Sequence, residues 1–232
     1  MASGIMLQEK VIVVTGSSGA LGQVVVDTAL AQGACVAGID HSPARNAPAA
    51  RLLGCGGVDL TDAAQARTAI DAAAAHFGRL DVLINIAGGF AFENVAEGEP
   101  ETWQRLYALN VATALNASRA AIPHLLASRA ARIVNVGAAG ALQAGSGMGA
   151  YAASKSGVHR LTEALAAEHK GKIAINAVLP SIIDTPANRE SMPKSDFSKW
   201  VTPRELTDVI LFLASDAASA VTGALIPVTG RV

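Results

Sequence analysis

The chain has 232 residues, 51% of them hydrophobic, and its 18 Lys and Arg nearly balance its 19 Asp and Glu, for a net charge of −1. Such a balance offers no basic face for nucleic acid, and no apolar run approaches the roughly 20 residues that cross a bilayer, so neither nucleic acid nor membrane is an expected partner. Cys35 and Cys55 fit no metal-ligand spacing and no disulfide framework, and Met1 to Glu9 lack the pattern of a secretion signal, so a cytoplasmic protein with reduced thiols is expected.

The first predicted element is a β-branched strand, Lys10 to Thr15, which runs through a glycine-rich turn into an amphipathic helix from Leu21 to Gln32. Ala34 to Asp40 and Leu80 to Ile86 read as buried strands with a helix, Asp62 to Phe77, between them. The alternation continues with a helix near Trp103 to Ser128, a strand Arg132 to Val136, a helix Ala150 to His169 and a strand Ile173 to Leu179. An irregular stretch from Ser181 to Val201 precedes a helix at Pro203 to Ala214 and a last strand at Ala224 to Val228. Apolar strands alternating with helices predict one α/β domain over residues 1–232: a Rossmann-type, doubly wound parallel sheet of about seven strands, with helices on both faces and right-handed crossovers.

Within that frame, Thr15-Gly16-Ser17-Ser18-Gly19-Ala20-Leu21-Gly22 sits between a strand and a helix. Glycines there permit a tight turn and let backbone N–H groups approach a pyrophosphate, whose charge the helix dipole favours. Asp40 ends the second strand, where a carboxylate can accept from both adenosine ribose hydroxyls and would repel a 2′-phosphate; this favours NAD(H) over NADP(H), although capping of the next turn is an alternative role. Asp59-Leu60 fits an adenine contact or, for Asp59, a helix N-cap. Asn85-Ile86-Ala87-Gly88-Gly89 follows the fourth strand at the carboxyl edge of the sheet, where small residues leave room for a cofactor or simply make a turn.

Tyr151 and Lys155 lie four residues apart on one face of a helix. A free tyrosine, with a pKa of about 10, is a poor general acid–base at neutral pH; a neighbouring ammonium favours the phenolate and lowers that value. The five histidines, His41, His76, His124, His159 and His169, show no ligand spacing, so no metal site is expected, and His159 reads as a helix-packing residue.

Together, the glycine turn, Asn85-x-Ala-Gly, Asn110 in Leu109-Asn110-Val111, and Tyr151-x-x-x-Lys155 resemble the short-chain dehydrogenase/reductase family over nearly the whole chain. The resemblance implies a nicotinamide-dependent oxidoreductase acting on a small molecule. Tyr151 would be the acid–base, Lys155 would tune it and hold the nicotinamide ribose, and Asn110 would anchor a water in a proton relay. Cofactor contacts are implied for Gly16, Ser18, Gly19, Leu21, Gly22, Asp40, Asp59, Leu60, Asn85, Ala87, Gly88, Tyr151, Lys155, Pro180, Ile183 and Thr185, and a dimer or homotetramer is implied through the helices around 103–128 and 150–169.

One family feature is missing. The serine that usually stands thirteen residues before the tyrosine is Ala138 here, and losing such a donor costs about 3–4 kcal/mol of transition-state stabilisation. Ser146 is a candidate replacement, and a more electrophilic substrate is the other remedy. Gly19-Ala20-Leu21-Gly22, Gly147-Met148-Gly149-Ala150-Tyr151, Asp184-Thr185-Pro186-Ala187-Asn188-Arg189 and Ser191-Met192-Pro193 resemble the dihydropteridine reductase branch, which lacks that serine, uses NADH and reduces a quinonoid dihydropterin. On that resemblance residues 186–201 form a short lid, and Ala138, Met148, Phe90 and Trp200 contact substrate. An NAD-dependent alcohol dehydrogenase or ketone reductase, and a dinucleotide-binding protein without turnover, remain open alternatives.

Overall fold

The computed structural model describes residues 7–44 and 50–232. The chain runs β1 (Val11–Thr15), α1 (Ala20–Ala31), β2 (Cys35–Ile39), β3 (Leu52–Cys55), α2 (Ala63–Phe77) and β4 (Val82–Asn85) through its first half. It continues with α3 (Pro100–Tyr107), a π-helical turn (Ala108–Ala112), α4 (Thr113–Leu125), β5 (Arg132–Val136), α5 (Gly149–Glu168), β6 (Ala174–Pro180), α6 (Pro186–Ser191), α7 (Pro203–Ala214) and β7 (Leu225–Val228). The seven strands form one parallel sheet in the order β3-β2-β1-β4-β5-β6-β7. The expected doubly wound Rossmann-type architecture is therefore present.

Every residue of β1, β4 and β5 is buried, as a parallel sheet covered on both faces requires. Their alternation divides the core: Ile12 and Val14 face α1 and α7, with Val25, Leu206 and Ile210, whereas Val11 and Val13 face α2, α4 and α5. On the second face the helices present Ala66, Ala69, Ala73, Ala117 and Ala121, small enough for α2 and α4 to pack closely.

The crossover direction reverses between β1 and β4, whose carboxyl ends, Thr15 and Asn85, are register partners. This is the switch point of the sheet, and the loops after β1, β4, β5 and β6 leave from the same carboxyl edge, where ligands bind in such folds.

Helix boundaries follow local chemistry. Asp62 accepts from the N–H groups of Ala64 and Gln65 to start α2, and Gly78, at φ 75°, ends it in the left-handed region. Pro203 at the first helical position and a reciprocal Thr202–Glu205 capping box start α7. The single helix expected at Trp103 to Ser128 is instead two helices joined by the π-helical turn, beginning earlier, at Pro100, and ending at Leu125.

Among the described residues no helix is long and apolar enough to cross a membrane, and no group of three or more His, Cys, Asp or Glu is placed to hold a metal ion. Cys35 and Cys55 are free thiols. The segment Met1–Met6, most of the stretch read for a secretion signal, lies outside the described residues.

Candidate active site

At the end of β1 the chain turns at Gly16, whose φ of +68° and whose approach to the next loop both require glycine: a Cβ there would lie 2.8 Å from the Ala87 backbone nitrogen. Gly22 is equally constrained, since its Cβ would fall 2.1 Å from the Gly16 carbonyl oxygen. Gly19 has room for a side chain as far as the protein itself is concerned. It is exposed and occupies the N-cap of α1 without supplying a capping side chain, so the first-turn N–H groups and the positive end of the helix dipole are left for a ligand or water. Leu21, by contrast, is buried in the core.

Asp40 lies beside this turn. Its carboxylate accepts the Ser18 N–H at 2.8 Å and the Ser42 N–H at 2.9 Å, so the turn-capping role is realised. A carboxylate has about four acceptor positions, so two remain for ribose hydroxyls. A concavity lined by Ser17, Ser18, Asp40, Gly54 and Cys55 adjoins it. The anion-ready helix end and the acidic rim fit the pyrophosphate and adenosine of a nicotinamide dinucleotide. Asp59 does not cap α2, a role that falls to Asp62; it accepts from the N–H and hydroxyl of Thr61, which hold its carboxyl below the usual range. Leu60 is buried, and its carbonyl accepts from Asn116.

The loop after β4 is tied to the glycine turn by Thr15, whose hydroxyl accepts the N–H groups of Ile86 and Ala87 at 3.1 and 3.2 Å. Asn85 departs from expectation. Its side chain is turned into the sheet, donating to Asn135 Oδ1 at 2.9 Å and Ser118 Oγ at 3.2 Å, so it braces the strand ends rather than presenting an amide to a ligand. The residue that reaches this loop from outside is Asn110. In the π-helical turn the Thr113 N–H reaches back five residues to the Ala108 carbonyl, and the local rewinding turns Asn110 inward to full burial. Its amide brackets Gly89, accepting the N–H and donating to the carbonyl, both at 3.0 Å, and also donates to Ser154 Oγ at 2.9 Å. A Cβ on Gly88 would collide with this amide at 2.4 Å.

α5 carries Tyr151 and Lys155. The Lys155 ammonium is buried and donates to the Val136 carbonyl at 2.8 Å, leaving two protons for other partners. It lies 3.4 Å from where a Gly88 Cβ would be, which places it between the β4 and β5 loops. Burial pushes Lys155 down to about 8 and the Tyr151 phenol up to about 12. The expectation that the ammonium lowers the tyrosine is not met: desolvation is the cause that shifts both groups, upward for Tyr151 and downward for Lys155.

Ala138 is buried at 5% exposure, and its N–H is directed to His159 Nε2 at 3.3 Å. Ser146, the candidate replacement hydroxyl, is exposed and directed at Asn94 Oδ1, 3.5 Å away. The mouth around Tyr151 is apolar. Phe90, 58% exposed, meets the Tyr151 ring edge-on with centroids 4.9 Å apart. Phe92 covers Gly147, Val95 and Trp103 flank Gly149, and Met148 approaches Gly140. The charges in this loop, Glu93, Glu97 and Glu99, are all acidic.

Beyond β6, Pro180 ends the strand, Ile183 bridges Val201, and Thr185 caps α6 by accepting the Asn188 N–H. Arg189 is held in a two-pronged pair with Asp184, at 2.6 and 2.7 Å, and lies over the Phe197 ring. Trp200 differs from the expected substrate contact: it is buried, packed at a tilt against Phe197 with centroids 4.8 Å apart, and anchors the segment instead.

A family model described as short chain dehydrogenase matches residues 10–196. The chain is 32% identical to 2-(S)-hydroxypropyl-CoM dehydrogenase 3 of Xanthobacter autotrophicus, over 97% of this chain and 96% of that one. It is 34% identical to inactive 2-(S)-hydroxypropyl-CoM dehydrogenase 2 of the same organism, over 87% of this chain and 96% of that one. Among solved structures, 3-ketoacyl-(acyl-carrier-protein) reductase from Brucella melitensis complexed with NADH superposes with a TM-score of 0.86 at 28% identity, covering 97% of this chain and 98% of the other.

Proposed function

The chain belongs to the short-chain dehydrogenase/reductase family of oxidoreductases, and from that premise we propose that it catalyses NADH-dependent reduction of an activated C=N or C=O group in a neutral planar heterocycle, a quinonoid dihydropterin foremost. The dinucleotide would supply the hydride. Tyr151 gives the proton to the substrate heteroatom and regains one from solvent. Lys155, protonated at neutral pH, stabilises the phenolate left behind, and Asn110 fixes the Gly88-Gly89 backbone, which would help hold the dinucleotide.

The observation that carries this reading is the absence of a second donor at the β5 loop. Ala138 has no hydroxyl, and its N–H is already committed to His159. With one donor, a substrate whose own conjugation stabilises the developing charge is favoured over a simple ketone. The exposed aromatic mouth and its acidic surroundings support a flat, uncharged substrate rather than an anionic one. Asp40 supports NADH over NADPH, because a 2′-phosphate would meet its carboxylate.

The second reading is an NAD-dependent alcohol dehydrogenase or ketone reductase, favoured by the relative named for oxidation of a hydroxypropyl group. The inactive relative keeps a third outcome, binding without turnover, in the test. Titration with NADH and NADPH, followed by turnover with a quinonoid dihydropterin and a panel of ketones and alcohols, separates them. Pterin turnover well above ketone turnover supports the proposal, the reverse order overturns it, and tight NADH binding with no turnover on either set favours the binding protein. Self-association through α4 and α5 into a dimer or tetramer is part of the same proposal and is read by light scattering.

A further inference from the structure

His159 stands one turn beyond Lys155 on α5 and is 2% exposed. Its Nε2 accepts the Ala138 N–H at 3.3 Å, which makes the ring neutral with its proton on Nδ1. The fit to the loop is steric as well: a Cβ on Gly137 would lie 2.5 Å from Nε2 and 2.7 Å from Cδ2. Three successive residues leaving β5 are thereby pinned. Lys155 donates to the Val136 carbonyl at 2.8 Å, Gly137 donates to the Val178 carbonyl of β6 at 2.9 Å, and Ala138 donates to His159. Two of the three pins come from one face of α5, the face that also carries the reacting tyrosine.

We infer that His159 is a positioning residue of the catalytic centre: as a neutral acceptor it sets the Ala138 loop against the substrate and, through Val136, the seat of the Lys155 ammonium. The inference rests on the reading that Tyr151 and Lys155 form the reacting centre. Protonation of the ring would set donor against donor at the Ala138 N–H. Of the groups around it, Lys155 and Arg160 on α5 are positive, Arg160 being partly offset by Glu163, while Gly137 and Ala138, just beyond β5, carry no charge. Burial, and then these two cations, hold the imidazole below its usual value, so the neutral form persists into mildly acidic solution. As pH falls through that lowered value, the loop loses its pin and turnover declines.

The test compares His159→Gln, which keeps an acceptor without a titrating ring, with His159→Leu, which keeps bulk and loses the acceptor. At pH 8, His159→Leu loses roughly tenfold in kcat, the scale of one buried hydrogen bond, whereas His159→Gln stays within about threefold of the parent. The acid limb of the kcat profile moves to lower pH in His159→Gln. Equal losses in the two variants, or an unshifted acid limb, would overturn the inference by reducing His159 to packing. Two readouts need no turnover and hold even if a variant folds poorly. In the parent, the imidazole nitrogen shifts report the Nδ1–H tautomer, and Ala138 amide exchange accelerates as the ring protonates. A Nε2–H tautomer, or an amide indifferent to that titration, would also overturn it. If these two hold while no substrate turns over, the proposed reaction fails and the pinning of the loop stands.

Discussion

Replacing Ala138 with serine restores a hydroxyl at the position on which the substrate argument turns. Ala138 is 5% exposed, so the new oxygen is taken out of water, and left unpaired it would cost about 1–3 kcal/mol. Ala138 is also the N-cap of the short 3₁₀ turn Ala139–Ala141, with extended backbone at φ −159° and ψ 139°, where a serine oxygen can accept a backbone N–H and recover about 1 kcal/mol. The two effects nearly offset, and the melting temperature should move by only a few degrees, on the order of 1 kcal/mol for a chain of this size. Catalysis should respond far more. A donor aimed at a developing oxyanion contributes about 2.7–4 kcal/mol, so kcat for a simple ketone should rise about 10²- to 10³-fold. A quinonoid dihydropterin, whose conjugation already spreads the charge, should gain less than about tenfold on the same reasoning. NADH consumption at saturating substrate, with thermal melts of both proteins, reads both quantities. An unchanged ketone rate in a folded variant would refute the argument from the missing donor, and a raised melting temperature with no gain in rate would show that the hydroxyl caps the turn instead.

Tyr151→Phe should lower turnover by about 10²- to 10⁴-fold while the edge contact with Phe90 keeps the melting temperature near the parent's; full activity in steady-state assays would remove Tyr151 from the chemistry. Asp40→Asn should shift the ratio of NADH to NADPH affinities by at least about tenfold toward NADPH, measured by calorimetric titration, because the repulsion of a 2′-phosphate goes with the charge. Asp81 is buried, which alone would raise its carboxyl, but hydrogen bonds from Arg79, Ser128 and the Val11 N–H together hold it below the usual value. A lowered folded value means that its contribution is fully present above the unfolded carboxyl's value of about 3.9 and fades as pH falls through the folded one. Asp81→Asn should therefore cost about 2 kcal/mol in urea unfolding at pH 7 and much less at pH 3, while a constant cost across that range would contradict the assignment.

The parts of the fold legible in the sequence are those written as a period. β1, β5 and α7 are β-branched runs or capped amphipathic stretches, and their limits in the structure lie at or within one residue of the limits read from the chain. β3 is harder to see because its four residues, Leu52–Cys55, include Gly54 and sit half-buried at the sheet edge. Trp103 to Ser128 reads as one helix because a single π-helical turn inserts its offset without breaking the apolar pattern; only Pro100, a first-position signal, marked the true start. The direction of the Asn85 side chain is hidden for a related reason. All four residues of β4 are buried, so a period of two cannot tell which face an amide takes.

What remained hidden at the site is reciprocal and distant in sequence. Gly88 is a glycine because Asn110 occupies the space of its Cβ, and Gly137 is one because His159 does, across separations of 22 residues in each case. Read alone, each glycine is a turn residue, and each partner is an ordinary polar residue on a helix. Only when the π-helical turn and α5 are laid against the sheet do the pairs become complementary. The same packing reverses the electrostatics inferred from spacing: a one-turn Tyr–Lys separation suggests mutual stabilisation of charge, but burial favours the neutral form of both groups, at about 12 for Tyr151 and about 8 for Lys155. In the reaction proposed above, a phenolate would form only as the Tyr151 proton is delivered to substrate, and α5 carries that donor, the nearby ammonium and the residue that pins the loop opposite.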